Sequence, residues 1–476
     1  MALTGFPSSP PPHSEAPEGW VEHFLLAGPG QEVCLRFEKP VTRADLRSLV
    51  ADQVTQLTAA GLAPGGTVAL RLPPSLGYVS TLLAAWQLGG QVCLLDHRLT
   101  EHEVAAALDR LTPQVLVEAD RHPASGLRGF SEIEPVAVPL PGGQPARSPH
   151  ALVQLSSGST GPSKVIGRTA ADLLRELACY RALPGFPQAG SRTVLLSSVV
   201  HVLGLVGGLL HSLHSGVRLT VPERMTAAGI LAAVAEDDLP TTVIGVPFHA
   251  ELLAGVRAPR PLPQLTRIIV AGELTRPGVA AAIGERYGVP LGTMYGMTEL
   301  GVNATDLTGT RYPGTRPVPG LELRTEGGEL HIRRADSPYL GLTDPSRWSD
   351  GWLHTRDAAG LDRETGLLTV LGRRDSQVSI GGLKVDLTEV EHTLTALPEV
   401  REAVVVFESG AVAAYLVPAD GAGAEEIRAG LEHRLAGYKR PRRLSLLPVL
   451  PRTATGKLLR DPAGLRAAAL AEPAEH

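Results

Sequence analysis

From Val68 to about Val270, short apolar runs alternate with helix-like segments, and this alternation constrains the fold more than any other feature of the sequence. Val68 to Leu72 and Gln91 to Leu95 are apolar runs, and helix-like stretches follow them at Leu76 to Leu88 and Glu101 to Leu111. None of the runs has a clean period of two, as expected when both faces of a strand are buried. The alternation predicts an α/β fold with mostly parallel sheets covered by helices.

The later part of the chain changes character twice. Between Leu321 and Leu371 the pattern is one of short strands and turns, which predicts a small β-rich subdomain. After Gly372 to Asp375 come a strand near Val378, two further strands and two helices, a compact α+β unit of about a hundred residues. The sequence therefore predicts a large N-terminal domain and a small C-terminal one.

The composition excludes several classes of protein. Apolar residues make up 43% of the chain and charged residues 20%, as in an ordinary globular protein. The formal net charge of -5 indicates no nucleic-acid partner, and no apolar run is long enough to predict a membrane span. Residues 1–18 are rich in Pro and Ser and lack the order of a signal peptide, so we expect a disordered lead-in.

Cysteine and lysine usage narrow the reading further. Cys34, Cys93 and Cys179 are odd in number and lie among apolar neighbours, which favours buried free thiols and a cytoplasmic location. Only five of the 44 basic residues are lysine, and two of these, Lys164 and Lys457, fall inside motifs described below. Because the rigid fork of arginine cannot replace a compact ammonium everywhere, these positions are candidates for ammonium chemistry.

Residues 155–164 read Leu-Ser-Ser-Gly-Ser-Thr-Gly-Pro-Ser-Lys, after a strand-like run and before a helix-like segment at Ala170 to Leu183. Glycines let backbone N–H groups wrap an anion, and hydroxyls and an ammonium add donors, so the loop suits a polyphosphate. It is not a Walker A loop. A solvated linker is the alternative reading of a Ser/Gly-rich turn.

Three more segments follow in order: Tyr-Gly-Met-Thr-Glu at 295–299, Trp-Leu-His-Thr-Arg-Asp at 352–357 with Gly-Arg-Arg-Asp at 372–375, and Pro-Arg-Thr-Ala-Thr-Gly-Lys at 451–457. In this order and at these separations the four segments resemble the adenylate-forming superfamily, which contains acyl-CoA synthetases, nonribosomal-peptide adenylation domains and luciferases. The resemblance runs from about Val41 to Arg460. It implies an AMP-forming ligase with ATP and Mg²⁺ as cofactors.

The resemblance assigns most of these residues to ATP. Thr298 would donate to the α-phosphate, Glu299 would hold Mg²⁺, and Asp357 would accept both ribose hydroxyls. The adenine side would be formed by Gly272 and Glu273 after an Ala, with Tyr295 packed on the ring, and Arg373 would reach the ribose edge. The remaining ATP residues would be Ser156, Ser157, Gly158, Ser159, Thr160, Gly161, Lys164, Gly296 and Met297.

The resemblance also assigns the C-terminal residues. Lys457 would lie between the substrate carboxylate and the α-phosphate, although a solvated lysine is the default reading of such a loop. Asp375 would be the hinge about which the C-terminal domain rotates, giving a core at 19–372, a hinge at 373–375 and a mobile domain at 376–476. The loop with Gly381, Gly382 and Lys384 would then admit the pantetheine arm of coenzyme A or of a carrier protein.

This sequence departs from the family pattern at three places. Arg356 stands where the family has Gly before the aspartate, which could alter the local turn. Ser163 separates the proline of the phosphate loop from Lys164, and Ser379 replaces a lysine before the glycine loop, so that any role of that lysine is lost or shifted to Lys384.

The acid pocket carries no acidic residue at the position where amino-acid-activating relatives have one. The segment instead reads Val-Val-His-Val-Leu-Gly-Leu at 199–205, and the glycines of the following helix, Gly204, Gly207 and Gly208, would leave room for a substrate. An apolar pocket without a carboxylate disfavours an ammonium, so we expect an uncharged acyl or aryl acid. The expected lining is His201, Val202, Gly204, Leu205, Gly208, Gly245, Val246 and Met294, with a core hydrogen bond as the alternative for His201.

Two alternatives stay open at this point. One is a stand-alone adenylation enzyme that loads an α- or β-amino acid onto a separate carrier protein, with Glu273 as a candidate partner for the ammonium. The other is a nucleotide-binding protein on a degenerate scaffold, which the joint presence of Thr298, Glu299, Asp357 and Lys457 argues against. Since the chain ends soon after Lys457, we expect a free-standing ligase, as a monomer or homodimer.

Overall fold

The computed structural model describes residues 17–121, 128–156, 164–275, 278–374, 376–451 and 458–471. The described chain falls into two compact units, one formed by Met1–His97, Thr112–Gln154 and Val165–Gly372, the other by Arg98–Leu111, Leu155–Lys164 and Arg373–His476. No helix within the described ranges is both long and apolar enough to span a membrane.

Strands and helices alternate through the first part of the chain. In chain order they are π1 (Val21–Leu25), β1 (Val33–Arg36), β2 (Pro40–Thr42), α1 (Arg43–Ala59), β3 (Thr67–Arg71), α2 (Leu76–Gln87), β4 (Gln91–Leu94), α3 (Glu101–Leu111), β5 (Val115–Ala119), β6 (Pro135–Pro139), β7 (Leu152–Ser156), β8 (Lys164–Arg168) and α4 (Ala170–Ala182).

The alternation continues to the middle of the chain. The next elements are β9 (Arg192–Leu195), π2 (Leu203–Leu210), α5 (His211–Ser215), β10 (Arg218–Thr220), α6 (Ala227–Ala235), β11 (Thr241–Gly245), α7 (Pro247–Ala254), β12 (Leu265–Ala271), α8 (Val279–Tyr287), β13 (Leu291–Met297) and β14 (Gly301–Asp306).

Short strands then dominate before the C-terminal helices. These elements are β15 (Arg316–Pro317), β16 (Leu323–Glu326), β17 (Glu329–Arg333), β18 (Trp348–Ser349), β19 (Trp352–Leu361), β20 (Leu368–Arg373), β21 (Gln377–Ile380), β22 (Leu383–Asp386), α9 (Leu387–Thr395), β23 (Val400–Glu408), β24 (Ala411–Pro418), α10 (Ala424–Glu432), β25 (Arg443–Leu446) and α11 (Pro462–Ala471).

Three sheets carry the first unit. The described residues form a nine-stranded sheet in the order β15-β14-β13-β12-β11-β9-β10-β1-β2 and a six-stranded sheet in the order β6-β5-β3-β4-β7-β8. Six neighbouring strands of the larger sheet are parallel: β13, β12, β11, β9, β10 and β1. Strand β14 is antiparallel to β13. The third sheet joins β16, β17, β19 and β18, with β20 paired to β19. The predicted α/β class and the β-rich segment between Leu321 and Leu371 are confirmed.

Local sequence explains where the helices begin. Thr42 and Asp45 form a reciprocal capping box at α1, and Thr169 and Asp172 do the same at α4. The thiols of Cys34 and Cys93 are buried and free, as expected, and Cys179 is half-buried and free.

The C-terminal part of the second unit is the predicted small α+β fold. The strands β23, β24 and β25 form a three-stranded sheet, and β21 and β22 form a separate hairpin. Helices α9 and α10 pack their buried residues, among them Leu394 and Ile427, into one apolar core with the sheet.

Candidate active site

Several predicted site segments lie at the carboxyl ends of the parallel strands in the nine-stranded sheet. The register pairs Ala271 at the end of β12 with Met294 of β13, and Gly245 at the end of β11 with Val270. Strand β9 ends one pair earlier, with Leu195 opposite Ile244. Because these strands are parallel, their carboxyl ends share an edge, which is where open α/β sheets bind ligands.

Tyr295 and Asp357 are brought together from two different sheets. The Tyr295 hydroxyl donates to Oδ2 of Asp357 at 2.5 Å. Asp357 is only 5% exposed, and its backbone N–H donates to Oγ1 of Thr355 at 3.0 Å. One carboxylate oxygen of Asp357 therefore already accepts a hydrogen bond from Tyr295. The binding of both ribose hydroxyls by Asp357 stays a prediction, and it requires that oxygen to accept from Tyr295 and from the ribose together.

Glu299 lies in the turn at 298–300, between β13 and β14, where the Leu300 N–H donates to the Met297 carbonyl at 3.3 Å. Its Oε1 accepts a hydrogen bond from the Tyr339 hydroxyl at 3.1 Å. The Arg334 guanidinium donates to its backbone carbonyl, also at 3.1 Å. Both the carboxylate and the backbone of Glu299 are thus oriented by residues that the sequence did not single out.

A charged contact holds Arg334 in place. Its Nη2 lies 3.5 Å from Oδ2 of Asp172, at the start of α4. Burial raises the pKa of the Asp172 carboxyl, but the charges of Arg334 and Arg168 outweigh burial and lower that pKa to about 2. Asp172 is consequently a permanent anion that fixes Arg334, and through it the turn that carries Glu299.

Gly301, the first residue after that turn, has a conformation and a neighbour that exclude a side chain. Its φ is +90°, a left-handed value that glycine tolerates without a steric penalty. An added Cβ would meet the Glu176 carboxyl carbon at 2.2 Å, and that carboxylate accepts from the Val302 N–H at 3.1 Å and pairs with Arg168 at 2.6 Å. The close approach of α4 to β14 therefore depends on glycine.

Arg356, one of the departures from the family pattern, lies within β19, where the register with β17 shifts. Its φ is +63°, in the left-handed region, which costs a residue other than glycine about 1 kcal/mol. Its N–H donates to Oε1 of Glu329 at 3.0 Å, and its Nη2 donates to the Ser346 carbonyl at 2.9 Å. These contacts hold the residue in its left-handed conformation, and the effect of arginine on the local turn stays a prediction.

The phosphate-loop residues divide between described and undescribed positions. Strand β7 ends at Ser156 and β8 begins at Lys164, and these two strands are neighbours in the six-stranded sheet. The predicted loop residues Ser157, Gly158, Ser159, Thr160 and Gly161, the side chain of Ser156, the hinge residue Asp375 and the catalytic candidate Lys457 lie outside the described residues.

The predicted thiol-side loop is a two-residue hairpin turn. Gly381 and Gly382 join β21 to β22 with φ values of +57° and +82°, the positive pair that such tight turns require. Lys384 is exposed on β22, and Arg373, the last residue of β20, is exposed as well. Their assigned roles stay predictions.

The glycines of π2 allow close packing, and the room that they were expected to leave for a substrate stays a prediction. An added Cβ on Gly204 would lie 2.2 Å from the Ser198 carbonyl oxygen, and one on Gly208 would lie 2.7 Å from Cδ1 of Leu195. An added Cβ on Gly207 would lie 2.8 Å from the Tyr180 hydroxyl oxygen. Each glycine lets π2 approach its neighbours more closely than any larger residue would.

The rest of the predicted acid-pocket lining surrounds that packed helix. Leu205 and Met294 are buried in the main apolar core, with Val202 packed against it. His201 is half-buried just before π2. Whether these residues also line a pocket stays a prediction.

His249 is a polar neighbour of this region that sequence reasoning missed. The Val246 N–H donates to His249 Nδ1 at 3.2 Å, and the same nitrogen lies 2.8 Å from the position of an added Cβ on Gly245. Burial lowers the pKa of His249 to about 4, so the imidazole is neutral at neutral pH. The segment of Gly245 and Val246 therefore lies against an uncharged imidazole.

Asn303 is a second residue that the sequence did not reveal. It lies at a β-bulge, because the register of β13 and β14 shifts between the pairs Tyr295–Ala304 and Gly296–Val302. Its side chain is 0% exposed, and within the described part of the chain neither Oδ1 nor Nδ2 has a hydrogen-bond partner. A buried amide of this kind costs free energy unless a ligand or water satisfies it.

Comparison with known proteins identifies the family. Residues 25–333 match the AMP-binding enzyme family, and residues 389–457 match the AMP-binding enzyme C-terminal domain. A p-hydroxybenzoic acid–AMP ligase, FadD22 of Mycobacterium marinum, is 28% identical over 468 residues, which cover 88% of this chain. The chain spans only 65% of the length of that relative.

Other relatives match along nearly their whole length. A feruloyl-CoA synthase from an Amycolatopsis species is 28% identical, with 88% of this chain and 92% of that protein covered. The structure of a doubly substituted o-succinylbenzoate CoA synthetase of Bacillus subtilis superimposes with a TM-score of 0.77 at 24% identity, covering 92% of this chain and 96% of that one. The fold is thus shared, and the chain belongs to the AMP-binding enzymes of the adenylate-forming superfamily.

Proposed function

We propose that this chain activates a carboxylic acid with ATP to give an acyl-adenylate and pyrophosphate, and then transfers the acyl group to a thiol. The observation that carries the proposal is the hydrogen bond from Tyr295, at the edge of the sheet where the parallel strands end, to Asp357 of β19. This edge is a ligand-binding position for the fold, and its residues match the nucleotide motifs of the family.

In the first step, a carboxylate oxygen bonds to the α-phosphorus and the bond from that phosphorus to the leaving pyrophosphate breaks. Two anions must meet, so the site must neutralise charge in the transition state. Thr298 donates to the α-phosphate, Lys457 supplies an ammonium at the reacting oxygens, and the hydroxyls and N–H groups of 156–160 hold the leaving phosphates.

Glu299 offers a suitable donor for the Mg²⁺ that accompanies ATP. Only Oε1 of its carboxylate has a described contact, the hydrogen bond from Tyr339, and oxygen ligands are those that Mg²⁺ prefers. Mg²⁺, when bound, would supply positive charge against the phosphate oxygens. The contacts of Tyr339 and Arg334 would keep the carboxylate oriented before the nucleotide arrives.

The acid is an uncharged acyl or aryl acid that carries a polar group on its tail. The neutral His249 and the absence of an acid in the segment 199–205 disfavour an ammonium. The buried amide of Asn303 could give one donor and one acceptor to a hydroxyl group. Relatives whose names specify p-hydroxybenzoic acid and a feruloyl group act on acids of this kind.

The second step needs a thiol, supplied by coenzyme A or by the phosphopantetheine arm of a carrier protein. The sulfur bonds to the acyl carbon and AMP leaves. Rotation about Asp375, between a core at 19–372 and a mobile domain at 376–476, exchanges Lys457 for the loop of Gly381 and Gly382. The positive φ values of these glycines place backbone without side chains at the turn, which suits a narrow pantetheine arm.

ATP–pyrophosphate exchange across fatty, aryl, α-amino and β-amino acids tests the proposal. We expect exchange with an uncharged acid. If the tail of that acid bears a hydroxyl, Asn303→Leu should reduce the exchange rate at least tenfold. With a matched acid that lacks the hydroxyl, the same variant should reduce the rate less. Exchange only with amino acids would overturn the pocket assignment and favour the carrier-loading alternative, and no exchange with any acid would contradict the activity itself.

A further inference from the structure

One face of the third sheet buries ionisable groups that the proposed ligase chemistry does not use. Along β17, Leu330 and Ile332 are 0% exposed and belong to an apolar core. Glu329 and His331 alternate with them and so point to the opposite face, yet they are only 8% and 6% exposed. Burial of two ionisable side chains on the non-core face of a strand calls for a reason.

A third residue joins these two from the neighbouring strand. His354 of β19 lies directly opposite His331 in the antiparallel register. The two imidazole rings stack, with centroids 4.4 Å apart and an interplanar angle of 29°. Glu329, His331 and His354 each offer one ligand atom, and these three atoms all lie within 4.8 Å of one another.

The hydrogen bonds of this cluster leave one nitrogen unsatisfied. Nδ1 of His331 is buried and has no hydrogen-bond partner among the residues that the structure describes. By contrast, Nε2 of His354 lies 3.1 Å from the Ser349 hydroxyl, and Oε1 of Glu329 accepts from the Arg356 N–H at 3.0 Å. Two members are therefore oriented by outer contacts, as metal ligands usually are, while the third carries an unmet polar atom.

Charges around the cluster determine which cation it would select. Arg324 pairs with His331 across β16, forms an ion pair with Glu326 at 3.2 Å and stacks over Trp352 at 4.2 Å. Arg356 Nη1 lies 3.9 Å from Oε2 of Glu329. The carboxylates are thus largely balanced by guanidinium groups, so the site is poor for Mg²⁺ or Ca²⁺, which need several oxygen ligands. Two imidazoles and one carboxylate suit zinc-like ions instead.

We propose that Glu329, His331 and His354 bind one zinc-class divalent ion, with water in the fourth position. Tetrahedral ligands lie roughly 3.3 Å apart, so the imidazoles would rotate out of their stack toward the ion. The ion would cross-link β17 to β19, the strand that carries Asp357. The proposal does not depend on the proposed ligase activity.

The test is a zinc titration of the full chain, stripped with a chelator and freed of it. Calorimetry should find one zinc per chain, and His331→Ala should weaken that binding at least tenfold. The matched control is His392→Ala, which removes an exposed histidine from α9 in the other unit and should bind zinc like the parent. Zinc should raise the unfolding temperature of the parent and of the control, but not of His331→Ala.

Three results would overturn the site. One is a parent protein that binds no zinc, and another is a His331→Ala variant that binds it unchanged. If His331→Ala does not fold, His354→Gln replaces it, with the same tenfold loss expected and unchanged affinity as the contrary result. The third result that would overturn the site is Mg²⁺ binding as tightly as zinc, because a site with two imidazoles should bind zinc at least a hundredfold more tightly.

Discussion

The proposed nucleotide side and the proposed acid side of the candidate site are built in different ways. On the nucleotide side, Tyr295 and Glu299 make side-chain hydrogen bonds to Asp357 and Tyr339 on distant segments. On the acid side, π2 is held by glycines such as Gly204 that bring backbone and side chains into close contact. Polar chemistry thus defines one side, and packed shape defines the other.

This difference explains which parts the sequence could predict. Groups that bind phosphate and ribose must be particular residue types at particular spacings, so motifs could nominate Asp357 and Glu299 as candidates. Shape depends on long-range packing that no local pattern encodes, so the close approach of Gly204 to Ser198 could not be predicted. Predictions that remove polar groups and predictions that add bulk test the two halves of this comparison separately.

The largest effect is expected on the nucleotide side, from Lys457→Ala. Loss of an ammonium that stabilises the transition state should lower acyl-adenylate formation by about a hundredfold or more, while thioester formation from supplied acyl-adenylate stays nearly intact. Single-turnover assays of the two steps measure this, with Lys39→Ala, an exposed lysine, as control. An equal loss in both steps would refute the assigned role.

Bulk on the acid side should cost stability. Gly204→Ala forces a methyl group against the Ser198 carbonyl and should lower the free energy of unfolding by about 1–3 kcal/mol. Gly284 is exposed on α8, and no atom lies within 4 Å of its added Cβ. Gly284→Ala should therefore raise the free energy of unfolding by about 0.5–1 kcal/mol. Urea unfolding of both variants decides the point, and a stable Gly204→Ala would favour the open-space reading.

Helix α5, which follows π2 directly, should lower the stability of the fold at low pH. His211 is 0% exposed, its Nε2 lies 2.8 Å from the Pro187 carbonyl oxygen, and burial lowers its pKa from 6.5 to about 4. A depressed pKa stabilises the fold fully above pH 6.5 and loses that contribution as pH falls toward 4, at up to about 1.4 kcal/mol per pH unit.

His211→Gln tests this acid sensitivity, because glutamine can also donate to the Pro187 carbonyl but cannot take up a proton. Unfolding measured between pH 7 and 4 should be flatter in the variant than in the parent. Identical slopes would mean that His211 does not titrate in this range.

The smallest expected effect concerns Arg356 on the nucleotide side. Arg356→Gly and Arg356→Ala both lose the contacts to Glu329 and Ser346, but only glycine relieves the φ of +63°. The glycine variant should therefore be more stable than the alanine variant by about 1 kcal/mol in thermal unfolding. Equal stability would show that the backbone of Arg356 is not strained.

The fold itself was more predictable than the site. The boundaries of β3, α2 and β4 agree with the segments expected from the sequence within one or two residues, because helix and strand patterns are local. The contact of Tyr339 with Glu299 joins positions 40 residues apart, and the burial of Asn303 follows from a β-bulge. Neither is marked by a nearby pattern, so only the folded chain reveals them.

The most direct test of the account is to trap the acyl-adenylate in a single turnover with labelled ATP. The assay compares the uncharged acid that supports exchange with an analogue that carries an ammonium on its tail, in the parent and in Asp357→Ala. The account predicts labelled acyl-AMP from the uncharged acid in the parent alone. Acyl-AMP from the ammonium analogue, or undiminished product in Asp357→Ala, would contradict it.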